Sequence, residues 1–259
     1  SIREMSVDLL KLYAEREKPR GFRYRLDEYL SEEFEQYFPY KATEDQLKCI
    51  GEIEKDLTSD RIMDRLLVGD VGYGKTEVAM RAANGYQVAV LAPTTILAEQ
   101  HFNTFKERMA HFNVKVECLN RFRSAEQQKA ILKSLADGDV DVIVGTHRLL
   151  SSDVKFNKLG LLVLDEEQRF GVEHKEKIKS IKTSVDVLTL SATPIPRTLH
   201  MALSGMRDIS TITTPPVERI AVETFVCEEN ETLIADVITR ELARGGQVYL
   251  VYNRVSTID

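Results

Sequence analysis

The 259-residue sequence contains no tryptophan, and aromatic residues make up only 7% of it. It has three cysteines, Cys49, Cys118 and Cys227, far apart along the chain. That spacing matches no zinc site and argues against a disulfide scaffold. The five histidines show no metal-site spacing either, and none suggests a catalytic role. No apolar run approaches the ~18 residues of a membrane span. The N-terminal Ser1-Ile2-Arg3-Glu4 lacks the apolar core of a secretory leader. A reducing cytoplasm is the expected compartment. Nor is there an excess of positive charge: 35 Lys and Arg face 41 Asp and Glu, for a net charge of -6. This excludes a generally basic nucleic-acid coat, but not a local basic stripe.

Hydrophobic residues at 43% and charged residues at 29% describe a globular chain with a sizeable core. Its length suits one large domain or two smaller ones. Residues 2–16 read as a helix, with Ile2, Met5, Leu9 and Leu12 on one face. Lys18-Pro19-Arg20-Gly21 interrupts it, and an acidic, aromatic stretch runs from Asp27 to Tyr40. Thr43 opens a second helix carrying Leu47, Ile50, Ile53 and Leu57 on one face.

From Leu66 onward, short apolar runs alternate with helical stretches. The runs are Leu66–Val68, Val88–Ala92, Val114–Leu119, Val140–Val144, Leu161–Leu164 and Val185–Leu190. Between them lie segments such as Ile96–Met109 and Ser124–Ala136. Near-continuous apolar strands alternating with helices predict an α/β domain: a parallel sheet covered on both faces. Thr214-Pro215-Pro216 reads as a linker. A strand (Ala221–Val226), a helix (Glu231–Ala243), a Gly245-Gly246 turn and a strand (Val248–Val251) follow, as at the start of a second domain. The expected divisions are 1–26, 27–214 and 215–259.

Gly69-Asp70-Val71-Gly72-Tyr73-Gly74-Lys75-Thr76 fits the phosphate-binding loop G-x-x-x-x-G-K-[ST]. Chance supplies this pattern in roughly one such chain in a hundred. Here it also follows a strand and opens a helix, as the chemistry requires. The glycines let backbone N–H groups cradle phosphate oxygens, and the helix points its positive end at the anion. Lys75 suits the β- and γ-phosphates of ATP, and Thr76 suits Mg²⁺. The apolar run Leu161–Leu164 then delivers Asp165 and Glu166 to a strand end. Asp165 suits Mg²⁺, and Glu166 suits polarising the attacking water. Glu167 beside them fits either the site or plain solvated surface.

The remaining candidates are weaker one by one. Gln46, three residues after Thr43, fits a helix capping box better than it fits a hydrogen bond to adenine with Phe38 or Tyr40 stacking nearby. Thr94 and Thr95, and Thr146 and Arg148, follow strands and offer hydroxyls and helix starts to phosphodiester oxygens, but one by one plain turn chemistry explains them better; Ser191 and Thr193 read as an ordinary strand-to-turn segment. Arg121-Phe122-Arg123 suits a nucleic-acid backbone, though as a lone signal it fits a solvated turn better.

In their order, these segments resemble the motifs of superfamily 2 helicases. The flanks resemble the bacterial transcription-repair coupling factor family more closely: Met63-Asp64-Arg65-Leu66-Leu67, Asp70 to Ala79, Glu166 to Val172, and Ala192-Thr193-Pro194-Ile195-Pro196-Arg197-Thr198-Leu199. RecG-type branch-migrating helicases share the Ala192–Thr198 stretch, while Phe38-Pro39-Tyr40 and Gly205-Met206-Arg207-Asp208 favour the coupling factors. The resemblance covers essentially the whole chain. It implies a RecA-like domain plus the start of a second RecA-like lobe, with ATP and Mg²⁺ as cofactors and double-stranded DNA as the track. It implies displacement of stalled RNA polymerase and recruitment of excision-repair proteins, through modules outside this chain. By the same resemblance Gln46 reads adenine, Ser191 and Thr193 couple hydrolysis to DNA movement, and residues 2–16 lead into the motor. The family's arginines that complete the ATP site lie beyond Arg254, so this chain alone is expected to turn over weakly or not at all. The alternatives are a branch-migration helicase and a passive nucleotide- and DNA-binding module. One departure is the connection Glu77–Gln87, about two helical turns shorter than the family pattern.

Overall fold

A computed structural model describes residues 28–82, 86–192, 207–217, 219, 222–228 and 230–251. The N-terminal helix expected over residues 2–16 and the candidate Thr193 lie outside the described residues. So does the middle of the short connection, residues 83–85.

Seven strands form one sheet: β1 Asp64–Gly69, β2 Gln87–Leu91, β3 Val116–Leu119, β4 Val142–Gly145, β5 Leu159–Asp165, β6 Asp186–Ser191 and β7 Asp208–Ile212. Their order across the sheet is β3-β4-β2-β5-β6-β1-β7, and every pairing is parallel. The α-helices among the described residues of this unit are α1 Glu28–Gln36, α2 Glu44–Leu57, α3 Lys75–Arg81, α4 Thr95–Arg108, α5 Ala125–Asp137 and α6 Val172–Ile181.

Side-chain alternation divides the strands between two cores. Val88 and Val90 of β2, with Leu161 and Val163 of β5, join one cluster; Ala89, Leu91, Leu162 and Leu164 join the other. Helices α2, α3 and α4 cover the first through Ile53, Val78 and Phe105, and α5 and α6 cover the second through Leu135 and Ile178. Burial on both faces is why these strands read as apolar runs rather than alternating ones. Helix starts follow local chemistry. Thr43 with Gln46, and Ser124 with Gln127, form complete capping boxes, and the Thr94 hydroxyl accepts from the Leu97 N–H.

Two expectations need correction. Strand β7 was not legible, because Asp-Ile-Ser-Thr-Ile is short, half polar and lies at the sheet edge. In the other direction, the described residues of Ala221–Val226 and Val248–Val251 form no strand. An apolar run becomes a strand only when a neighbouring strand takes its hydrogen bonds. Residues 220–259 form a separate unit, whose described regular element is α7, Glu231–Ala243.

Burial separates the thiols. Cys49 and Cys118 are buried, which pushes both up to about 11, whereas Cys227 is exposed. Near neutral pH, a maleimide should label Cys227 alone in the folded protein, as read by mass spectrometry. Rapid labelling of Cys49 or Cys118 would contradict this packing.

Candidate active site

The loop between β1 and α3 has the backbone that its sequence requires. Gly72 and Gly74 sit at φ 79° and 77°, a region that side chains disfavour. The Gly74 position is also closed to any Cβ, which would overlap the Gln46 amide. Lys75 Nζ donates to the Gly69 and Asp70 carbonyls at 2.6 and 3.0 Å. Burial pushes the Lys75 ammonium down, opposed by the carboxylates of Asp165, Glu166 and Asp70. The strand-end carboxylates therefore act on the loop lysine. β5 reaches it because only β6 separates β5 from β1, roughly 10 Å in all.

Glu166 takes φ 51°, the one described residue other than glycine with positive φ. Such backbone is costly and is held by its surroundings. The Glu166 N–H donates to the Leu190 carbonyl at 3.1 Å, and Gln168 Nε2 donates to its carboxylate. Glu167 supplies the main anchor. The sequence left it open as a solvated carboxylate; instead it turns into a buried ion cluster. Lys182 lies 3.3 Å and Arg207 3.2 Å from its carboxylate, and both cations also pair with Asp64, at 3.7 and 2.9 Å. Burial pushes the Glu167 carboxyl up, but Lys182 and Arg207 outweigh it and bring it down to about 2.

Gln46 serves both ends of its amide within the protein. Its Oε1 accepts from the Thr43 N–H and its Nε2 donates to the Tyr73 carbonyl, each at 2.9 Å. The capping box is therefore real, and the same side chain braces the phosphate loop. Phe38 and Tyr40 meet edge to face at 5.6 Å. With Gln46, Gly72, Gly74 and Thr76 they line a cleft of about 710 Å³.

The other candidates occupy the other half of the same sheet edge. Thr94 and Thr95 follow β2, Arg121 and Arg123 follow β3, and Thr146 and Arg148 follow β4. Arg121 is exposed beside an exposed Phe122 ring, 5.5 Å away. Arg123 stands 3.6 Å from Glu99, and Arg148 is held by both oxygens of Asp153, at 2.7 and 2.5 Å. Thr146 is buried, as is Ser191, which pairs with Val68 at the start of the loop.

One link between the halves escaped the sequence reading. His101 Nε2 lies 2.8 Å from Asp165 Oδ2, and a carboxylate accepts, so Nε2 is the donor. His101 stands on α4, the helix that Thr94 caps. Lys182, Arg207 and Arg219 were missed as well. Their partners lie 15 to 149 residues away, so no local spacing reports them.

The sequence pattern of the DEAD/DEAH box helicase family matches residues 43–202, more than half of the chain. The chain belongs to this family. It is 57% identical to the transcription-repair-coupling factor of Bacillus subtilis and 52% identical to that of Escherichia coli. These matches cover 100% and 99% of the chain, but 22% and 23% of the relatives, so the chain spans about a fifth of their length. A solved structure of RecG bound to a three-way DNA junction matches 96% of this chain and 34% of its own, at 36% identity and a TM-score of 0.80. The UvsW helicase of bacteriophage T4 shares the fold at 16% identity and a TM-score of 0.52, with 73% of this chain and 69% of that one covered. The RecA-like fold of this helicase domain is thereby shown.

The Glu167 cluster carries a pH signature. Its carboxyl lies at about 2 instead of 4.5, so its contribution is complete above about pH 4.5 and is lost as pH falls towards 2. Glu167→Gln should cost on the order of 1–3 kcal/mol near neutral pH and flatten the acid limb of stability. Urea midpoints across an acid series check this; parallel curves for the two proteins would contradict it.

Proposed function

We propose that this domain binds ATP with Mg²⁺ and hydrolyses it to drive movement along double-stranded DNA, as the motor of a transcription-repair coupling factor. The observation that carries the reading is that the glycine loop after β1 and the Asp165-Glu166 end of β5 stand at one sheet edge with only β6 between them. The loop amides and Lys75 hold the phosphates. Thr76 and Asp165 fit the metal, since Mg²⁺ takes one or two protein oxygens and fills the rest with phosphate and water. Bound there, Mg²⁺ supplies charge neutralisation on the transferring phosphoryl group. Glu166, set at the edge by its left-handed turn, orients the attacking water. Gln46, Phe38 and Tyr40 line the nucleoside end.

The β2, β3 and β4 ends provide the DNA surface: Thr94, Thr95, Thr146, Arg121, Arg123 and Arg148, with Ser191 and Thr193 relaying nucleotide state. Contacts of this kind grip phosphates and read no sequence. On this reading residues 215–259 are a linker and the start of a second RecA-like lobe. RNA polymerase and excision-repair proteins are the partners of the longer protein, in the bacterial cytoplasm. The RecG likeness supports branch migration as the second reading. Displacement of stalled polymerase against unwinding of a synthetic junction separates the two.

The experiment uses a chain extended to its relatives' length. Lys75→Ala loses a contact of roughly 1.5–3 kcal/mol and should weaken a fluorescent ATP analogue about tenfold or more. Glu166→Gln should bind the analogue normally while DNA-stimulated turnover falls by about 10². Parental turnover in Glu166→Gln, or parental binding in Lys75→Ala, would refute the assignment of that residue.

A further inference from the structure

Beyond β7 the chain is caught by one side chain. Thr213 and Thr214 each donate a backbone N–H and a hydroxyl to Asp45 Oδ2, at 2.7 to 3.0 Å. The Thr213 hydroxyl, followed by the three other donors, holds that carboxyl well below the usual carboxylate range. Asp45 adjoins Gln46, so the segment is pinned to the helix turn that braces the phosphate loop. The Arg219 N–H then donates to the Pro216 carbonyl at 3.0 Å, closing a turn. This turn brings Arg219 back onto the loop. Its Nη2 donates to Asp70 Oδ2 at 2.9 Å, and its guanidinium carbon lies 4.7 Å from the centre of the Tyr73 ring. Pro216 and Arg219 line the same cleft as Phe38, Tyr40 and Gln46.

We propose that Arg219 is a nucleotide-binding residue, whose guanidinium plane stacks on the purine base in this cleft. The proposal rests on the ATP reading above and adds to it a contact from the segment that leaves the domain. Two features favour the base over the phosphates. Asp70 already takes the edge of the guanidinium and balances its charge, which weakens its pull on a phosphate. A guanidinium paired through its edge still offers a flat face to an aromatic ring. The side chain is 35% exposed, so that face is within reach of the cleft. The contact would come from the segment that Asp45 already pins through Thr213 and Thr214.

The test is competition against a fluorescent ATP analogue by ATP and by inorganic triphosphate, which has no base. Arg219→Ala should weaken ATP roughly fivefold or more and leave inorganic triphosphate within about twofold. Arg219→Lys keeps the charge beside Asp70 but has no planar group, and should match Arg219→Ala. Unchanged ATP affinity in Arg219→Ala, equal losses for ATP and triphosphate, or full ATP affinity in Arg219→Lys would each overturn the proposal. Failure of the parent chain to bind ATP is a separate result, and it would overturn the nucleotide reading itself. Unchanged thermal transitions without nucleotide confirm that both variants fold.

Discussion

Parallel pairing is the constraint on which the site depends. Because every strand runs the same way, every C-terminal strand end meets one edge of the sheet, and so do the turns that follow. Ligands of open α/β sheets bind at that edge. The strand order then divides it. The β5-β6-β1 half carries Asp165, Glu166, Ser191 and the phosphate loop. The β3-β4-β2 half carries Arg121, Arg123, Arg148 and the threonines. β3 stands five strand spacings from β1, roughly 24 Å, so one edge has room for two ligands.

The halves join where β2 neighbours β5. There His101 reaches from α4 to Asp165, tying a helix whose start faces the proposed DNA surface to the proposed metal ligand. The strained turn at Glu166 sits one residue further on, and Glu167 fixes it from below through Lys182, Arg207 and Asp64. A buried ion cluster of this kind is weak evidence for added stability, because desolvation opposes it. It does hold position: Glu167, paired with Lys182 and Arg207, directly follows the left-handed Glu166.

Much of this was legible in the sequence. The phosphate loop with the helix it opens, the acidic strand end, six of the seven strands and the helices after β2 and β3 follow from local patterns, because glycine turns, apolar runs and capping residues act within a few positions; the helix Val172–Ile181 was not read. Strand β7 was not legible, since Asp208-Ile209-Ser210-Thr211-Ile212 has only two apolar residues and so carries no apolar run. The two strands expected after Pro216 were over-read from apolar runs that have no described partner. Gln46 keeps the expected cap through its Oε1, while its Nε2 goes to the Tyr73 carbonyl of the loop, a contact that spacing did not suggest. The cations on Glu167 and the arginine on Asp70 come from distant sequence, and only the fold brings them in. Arg123 and Arg148, read as candidate phosphate contacts, have carboxylate neighbours that spacing did not reveal.

The central claim is that one sheet edge holds two separate ligand surfaces. Amide hydrogen exchange on this chain, with an ATP analogue and then with a short DNA duplex, tests it most directly. The account predicts that the nucleotide slows exchange over residues 70–76 and 166–168. It predicts that the duplex slows exchange over residues 94–97, 121–124 and 146–149. Protection of one shared set of segments by both ligands, or DNA protection confined to the β5-β6-β1 half, would contradict it.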